Sequence, residues 1–175
     1  MDVHLSMNEN HPNKPPEFII SRTFKTSRKN LWQAFSEVDQ LTRWWGAKDF
    51  TWTTSTLDFR PGGIFHYCLR SYDGLELWGK FAYQKIATPK RLLFINSFAD
   101  PEGATVLNPW NPDWPLEILN TLKFLEENGK TTLTWRAIPL KATELQCETF
   151  KDAFASMHDG FKSAFNQLAE CLEKG

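Results

Sequence analysis

"TELQCETFKDAFASMHDGFKSAFNQLAECLE", residues 143–173, is the stretch of the sequence that decides the fold. Its apolar residues recur mostly at steps of three and four, which is the spacing of one face of an α-helix. These residues are Leu145, Phe150, Phe154, Met157, Phe161, Phe165, Leu168 and Leu172. The spacing predicts one long amphipathic helix, roughly from Thr143 to Glu173, whose apolar face needs a partner surface.

The chain before this helix alternates polar and apolar residues, a pattern typical of β-strands. "EFIISRTF" (17–24) predicts a first strand, and two short helices are predicted after it, the second roughly from Val38 to Trp44. Six further strands are predicted between residues 51 and 138, with turns at "RPGG" (60–63), "YDG" (72–74) and "NG" (128–129).

The order of these elements favours an α+β fold. We expect one antiparallel sheet of about six to seven strands, wrapped around the one long C-terminal helix. A parallel α/β fold is disfavoured because the helices do not alternate with the strands. Residues 17–175 are expected to form a single domain, and the polar, proline-containing residues 1–16 a disordered tail.

Composition limits the classes of partner. The 175 residues include 14 Phe, 8 Trp and 3 Tyr, and such aromatic side chains line ligand sites as well as cores. The net charge of −1 argues against nucleic acid as a partner. We expect a cytoplasmic protein, because the chain shows no apolar run of membrane-spanning length, no secretory signal pattern and no CxxC pair among its three cysteines.

Six short motifs occur in an order that resembles a known family. They are "RTF" (22–24), "LTRWWG" (41–46), "DFRPGG" (58–63), "YDG" (72–74), "WGKF" (78–81) and "NGKTTLTWR" (128–136). Over about residues 17–172 the chain resembles the bacterial relatives of the activator of heat-shock-protein ATPase, the AHSA-type proteins. These belong to the START-like, helix-grip superfamily, also called SRPBCC, with polyketide cyclases and lipid-transport proteins.

The resemblance implies a curved sheet that grips the long helix, with a cavity between them. Members of the superfamily bind lipids, hormones or polyketides, some are cyclases or dehydratases, and one group acts as a co-chaperone. The eukaryotic co-chaperones carry an additional N-terminal domain that residues 1–16 do not resemble. We therefore do not expect this chain to stimulate a chaperone ATPase.

The predicted ligand site is an aromatic-lined cavity between the sheet and the helix. Alternation within the strands, helical spacing and the resemblance together place the following residues in it: Trp44, Trp45, Phe65, Tyr67, Trp78, Phe94, Trp110, Trp114, Asn120, Trp135, Phe154, Met157 and Phe161. An aromatic stripe of this kind is also typical of an ordinary packed core. A one-residue error in the predicted register of any strand would move its cavity-wall residues to the outer face of the sheet.

The segment "ADPEGATVLNPWNPDWP" (99–115) interrupts the strand pattern with four prolines and two tryptophans. A loop of this length inside a compact domain is usually functional or disordered. We interpret it as a lid over the cavity mouth. The alternative is a loop fixed on the outer surface or at a dimer contact.

Catalytic residues are only weakly indicated. Tyr67, Asn120 and His158 are the candidates, since acid–base chemistry needs polar groups that converge in the cavity. His66 alternates with Phe65 and Tyr67 and is expected to face outward. No metal-ligand cluster, P-loop, GxGxxG or GxSxG motif occurs, so neither a metal nor a cofactor is predicted.

The leading hypothesis is a protein, monomeric or homodimeric, that binds a small hydrophobic or aromatic molecule in this cavity. Two alternatives stay open. One is a cofactor-independent cyclase or hydrolase that uses the same pocket. The other is a co-chaperone-like protein-interaction module that binds a chaperone through an outer surface.

Overall fold

The computed structural model describes residues 14–175. Most of the tail predicted for residues 1–16 lies outside these described residues, and Lys14–Pro16 have no regular secondary structure. In chain order the elements are β1 (Phe18–Phe24), α1 (Arg28–Ser36), α2 (Val38–Trp44), β2 (Phe50–Leu57), β3 (Ile64–Ser71), β4 (Glu76–Ala87), β5 (Arg91–Ala99), β6 (Thr105–Val106), β7 (Glu117–Glu127), β8 (Lys130–Leu140), α3 (Glu144–Asp152) and α4 (Phe154–Lys174).

The strands form one open antiparallel sheet in the order β1-β8-β7-β5-β4-β3-β2. This arrangement confirms the predicted α+β fold, including the two short helices after the first strand. The two-residue strand β6, which pairs with β5, was not predicted, because it lies inside the proline-rich interruption.

Local sequence explains where several elements begin and turn. Ser27 caps α1 by accepting a hydrogen bond from the Asn30 backbone N–H. Thr143 starts α3 with a capping box that it shares with Gln146. Asn128 and Gly129 both have positive φ, as a two-residue hairpin between β7 and β8 requires.

The predicted long C-terminal helix is confirmed as α4, but it begins at Phe154 rather than near Thr143. The helical stretch is divided into α3 and α4 at Ala153, whose backbone N–H bonds to Phe150 O, three residues back rather than four. Phe150 and Phe154, one on each side of the division, pack edge to face at 5.4 Å. Apolar spacing persisted across the division, so periodicity alone did not reveal it.

One face of the sheet, here called the inner face, carries the core. Alternate residues of β5, β7 and β8 are buried on it, among them Phe94, Asn120 and Trp135. Helix α4 packs on this face through Phe161, which lies 4.8 Å from Trp135 between ring centroids, and through Phe165, which lies 5.9 Å from Phe24. The candidate functional site lies between α4 and this inner face.

Candidate functional site

The adjacent tryptophans Trp44 and Trp45 have different roles. Trp44, the last residue of α2, is buried; its indole N–H donates to Ala34 O at 2.8 Å and its ring packs on Phe35. Trp45 has extended backbone angles, which turn its ring toward the inner face of the sheet. There it stacks on Trp135, with 5.7 Å between centroids and 12° between the ring planes. One indole therefore holds the helices together, and the other reaches the site.

A cavity of about 400 Å³ lies beside this stacked pair. We call it the asparagine cavity, after three asparagines in its wall. It is lined by Trp45, Phe94, Asn96, Phe98, Asn108, Trp110, Trp114, Ile118, Asn120, Trp135, Ala137, Met157 and Phe161. The wall is thus formed by the inner faces of β5, β7 and β8, by α4, by Trp45 and by the segment after β6.

A hydrogen-bond ladder crosses three neighbouring strands in the wall of the asparagine cavity. The Trp135 indole N–H donates to Asn120 Oδ1 at 2.8 Å. Asn120 Nδ2 in turn donates to Asn96 Oδ1 at 2.9 Å and to Ile118 O at 3.1 Å. The buried amide of Asn120 is therefore satisfied from both ends, as a polar group on a buried face must be.

A second cavity of about 330 Å³ lies on the other side of Trp45, and we call it the tyrosine cavity. It is lined by Trp45, Gly46, Ala47, Tyr67, Leu69, Leu77, Met157, Gly160, Phe161 and Ala164. Trp45, Met157 and Phe161 line both cavities, so these three side chains form the boundary between them.

The phenol of Tyr67 is held in place by a glycine. Tyr67 on β3 pairs with Gly79 on β4, and a Cβ at Gly79 would lie 2.5 Å from the Tyr67 hydroxyl oxygen. Burial raises the pKa of Tyr67 from 10.0 to about 12, and the nearby Trp45 indole opposes this in part. Tyr67 is therefore a neutral hydroxyl at physiological pH.

The segment between β5 and β7 closes one side of the asparagine cavity. It begins as a hairpin, in which Asp100 Oδ1 accepts from the backbone N–H groups of Glu102 and Ala104 before β6 pairs back onto β5. Beyond β6, Asn108 Oδ1 accepts from the Trp110 backbone N–H at 2.8 Å. Trp114 packs on Phe150 of α3 at 5.4 Å.

The family model for "Activator of Hsp90 ATPase homolog 1-like protein" matches residues 25–173, and thus most of the chain. The chain belongs to this family.

Several solved structures are similar to this chain. A protein from Arthrobacter aurescens is 26% identical, with 91% of this chain and 87% of that chain covered and a TM-score of 0.75. Protein Ms6760 from Mycobacterium smegmatis is also 26% identical, with 88% of each chain covered and a TM-score of 0.70. A protein from Rhodobacter sphaeroides, 19% identical with 93% of this chain and 96% of that chain covered, shares the fold with a TM-score of 0.72. A comparison with curated protein sequences finds no match.

Most of the side chains predicted for the site line one of the two cavities in this member of the Hsp90 ATPase activator-like family. Trp45, Phe94, Trp110, Trp114, Asn120, Trp135, Met157 and Phe161 line the asparagine cavity, and Tyr67 lines the tyrosine cavity. These are placements only, and the roles of these residues in binding remain predictions.

Five predicted positions lie elsewhere, and the structure corrects their placement. Trp44 and Phe65 are core residues that line neither cavity. Phe154 contacts Phe18 at 5.6 Å and borders a separate cavity beside α3, with charged side chains in its wall. Trp78 and His158 line neither of the two cavities.

Trp78 lies on the outer face of the sheet, where it stacks on His66 at 5.1 Å. The reason is register: Gly79, not Trp78, pairs with Tyr67, so Trp78 shares a face with the residues that alternate away from Tyr67. His66 faces outward as predicted, and its Nε2 lies 3.0 Å from Asp100 O. His158 is exposed on α4 and lines neither cavity.

Several wall residues were absent from the predicted set. Phe98, Asn108, Ile118 and Ala137 line the asparagine cavity. Alternation along β5, β7 and β8 places Phe98, Ile118 and Ala137 on the same faces as Phe94, Asn120 and Trp135, so period two would have found them. No comparable signal marked Asn108, because it lies in irregular structure after β6.

The wall of the asparagine cavity consists of aromatic and aliphatic side chains, one thioether and three amides. Among its lining residues, within the part of the chain that the structure describes, none carries a carboxylate, imidazole, thiol or amine. Across residues 14–175, no group of three or more His, Cys, Asp or Glu side chains is placed to hold a metal ion. None of the helices in the described region is long and apolar enough to cross a membrane.

Proposed function

We propose that this protein binds one small, largely apolar molecule in the asparagine cavity. The observation that carries the proposal is the wall itself: aromatic rings on several sides, with a few fixed amides, around a space of about 400 Å³. Ligand sites for small molecules typically combine such apolar walls with a few placed polar groups. The family assignment supports a ligand-binding or co-chaperone-like module at a general level.

Apolar burial supplies the driving force for binding. A ligand that buries about 200 Å² of apolar surface gains on the order of 5 kcal/mol from leaving water, before the cost of association is subtracted. Aromatic walls also offer stacked and edge-to-face partners to an aromatic guest. A planar aromatic or alicyclic ligand fits these walls better than a flexible polar one.

The segment 107–115 acts as the lid in this proposal. Trp110 and Trp114 contribute apolar walls from this segment, and Asn108 contributes an amide. Trp110 lines the cavity and is 54% exposed overall, so its ring lies at the boundary between the cavity and solvent. Movement of this short segment would open the cavity without any change in the sheet.

The wall favours binding over the enzymatic alternative. General acid–base catalysis needs a group that exchanges a proton near neutral pH. The asparagine cavity has no such group among its described lining residues, and the raised pKa of Tyr67, about 12, makes that phenol a poor base in the neighbouring cavity. His158, the remaining candidate, is exposed to solvent.

The test is to fill each cavity separately and to measure uptake of 2-acetylnaphthalene by isothermal titration calorimetry. Ala137→Leu adds bulk to the asparagine cavity, and the matched Ala164→Leu adds the same bulk to the tyrosine cavity. We expect saturable one-to-one binding by the wild type, at least a tenfold loss in Ala137→Leu and little change in Ala164→Leu.

Two results would contradict the proposal. The first is unchanged binding in Ala137→Leu, which would place the probe outside the asparagine cavity. The second is the absence of saturable binding in the wild type. Retention of the protein on an immobilised chaperone, unaffected by Ala137→Leu, would instead support the co-chaperone-like alternative.

A further inference from the structure

The asparagine side chains that line the asparagine cavity include NH₂ groups without a partner in the described residues, whereas each asparagine oxygen already accepts at least one hydrogen bond. This asymmetry follows from the orientation of the three asparagine amides. It also bears on what kind of ligand the cavity would take, if the proposed binding function holds.

The orientation of the Asn120 amide is fixed by a partner that only donates. An indole N–H cannot accept a hydrogen bond, so the atom of Asn120 that lies 2.8 Å from Trp135 Nε1 must be the oxygen. Asn120 Nδ2 then faces Asn96 and Ile118 O, and both of its hydrogens have partners. Asn120 thus has neither a hydrogen to offer a ligand nor freedom to flip.

The orientation of the Asn96 amide follows from that of Asn120. Since the Asn120 NH₂ group faces Asn96, the Asn96 atom that accepts from it must be the oxygen, and Asn120 Nδ2 lies 2.9 Å from Asn96 Oδ1. The Asn96 NH₂ group is left with no hydrogen-bond partner among residues 14–175, and Asn96 lines the cavity between Phe94 and Phe98. A ligand that enters the cavity removes water from this NH₂ group. That removal costs binding free energy unless the ligand accepts a hydrogen bond from the NH₂ group.

Asn108, in the segment after β6, repeats the pattern. Its Oδ1 accepts from the backbone N–H groups of Trp110 at 2.8 Å and Asn111 at 3.2 Å. Backbone N–H groups are donors only, so this amide is also fixed, with its oxygen used and its NH₂ group remaining. In the described wall, the three asparagine oxygens are thus all engaged, whereas two amide NH₂ groups are not.

We infer that the asparagine cavity selects apolar molecules that carry a carbonyl oxygen, such as ketones, esters, lactones or quinones, and that Asn96 is the residue that determines this specificity. A carbonyl oxygen accepts hydrogen bonds without bringing a donor of its own. A ligand whose polar atoms only donate would have to share an asparagine oxygen that already accepts a hydrogen bond, and it would leave the Asn96 NH₂ group without a partner. This inference rests on the proposed function and narrows it to a chemical class.

The test compares two probes of nearly the same shape. 2-Acetylnaphthalene carries a carbonyl oxygen where 2-isopropenylnaphthalene carries a CH₂ group. We expect the wild type to bind the ketone about tenfold more tightly, the effect of about one well-placed hydrogen bond in a desolvated site. The measurement is the ratio of the two dissociation constants from calorimetry.

Asn96→Asp is the decisive variant, because it keeps an oxygen to accept from Asn120 and replaces the NH₂ group with a carboxylate oxygen, which cannot donate. It also adds a negative charge, so its control must add the same charge. We expect Asn96→Asp to reduce the ketone preference to less than threefold. Asn166→Asp is the matched control: Asn166 is exposed on α4, and its Oδ1 accepts from Arg22 Nη1 at 2.6 Å, so the same substitution there also keeps its acceptor. This control should leave the ratio unchanged, and thermal melts would show that both variants are folded.

The outcomes separate this inference from the proposed function. If both probes bind equally and Ala137→Leu blocks both, the cavity is a binding site but the carbonyl inference is wrong. A tenfold preference that survives Asn96→Asp would also overturn the role of Asn96. If neither probe binds to the wild type, both proposals fail together.

Discussion

Gly79 and Tyr67 depend on one another. The Tyr67 ring lies directly over Gly79 on the neighbouring strand, where a side chain of any size would collide with it. A glycine inside a strand normally weakens the sheet, and here the tyrosine ring covers the gap that it leaves. The motif "WGKF" therefore has a packing reason for its glycine.

We predict that Gly79→Ala destabilises the protein by about 1–3 kcal/mol, because the added methyl group overpacks a filled site. The free energy of unfolding from urea titration measures this cost. In a Tyr67→Leu background the same substitution should cost clearly less, since the ring that it would strike is gone. An equal cost in both backgrounds would show that the collision with Tyr67 is not the cause.

Helix α4 is the element that closes both cavities. Met157 and Phe161 line each of them, one turn apart on the face that meets the sheet, while Phe165 and Leu168 are buried farther along. Gly160 lies within this helix, and an added Cβ there would meet nothing within 4 Å. In the described structure, no neighbouring atom therefore requires a glycine at this position.

We predict that Gly160→Ala stabilises the protein by about 0.5–1 kcal/mol, because alanine loses less backbone entropy than glycine when a helix forms. The urea titration used for Gly79→Ala gives the comparison directly. The two glycines should therefore respond to the same substitution with opposite signs. Destabilisation at Gly160 would contradict the open surroundings seen in the structure.

The whole molecule should lose stability at high pH through its buried phenols. Burial raises the pKa of Tyr67 to about 12, and it likewise raises the pKa of Tyr83. An unfolded chain releases these protons near the ordinary pKa of 10.0, whereas the folded protein keeps them. The stability that depends on these neutral groups is therefore complete below pH 10 and is lost as the pH rises from there.

We predict that the free energy of unfolding falls steeply between pH 10 and pH 12, with roughly 2–3 kcal/mol of the loss due to Tyr67. Urea unfolding at a series of pH values measures the slope. Tyr67→Phe removes the titrating group and should make the decline shallower. The same slope in both proteins would mean that Tyr67 does not remain protonated in the folded state.

The alternation of polar and apolar residues predicted the two faces of most strands, and turn-forming residues predicted the positions of the turns. The period-two pattern of β7 and β8 predicted which side of Asn120 and Trp135 is buried, and the Asn128–Gly129 pair fixed the hairpin between them. The same period-two pattern predicted most of the aromatic residues that line the asparagine cavity from the strands. Trp78 is one position where the prediction failed, because alternation within β4 does not determine which of its residues pairs with Tyr67 on β3.

The sequence by itself determined the α+β architecture, the amphipathic C-terminal segment and the supply of aromatic side chains, because these depend on periodicity and residue type along a single chain. The tertiary structure alone decided that Trp45, Met157 and Phe161 divide the space into two cavities, and that Trp135, Asn120 and Asn96 form one ladder. Residues from three strands meet in that ladder, and their hydrogen bonds depend on register between strands, a property that no single strand encodes.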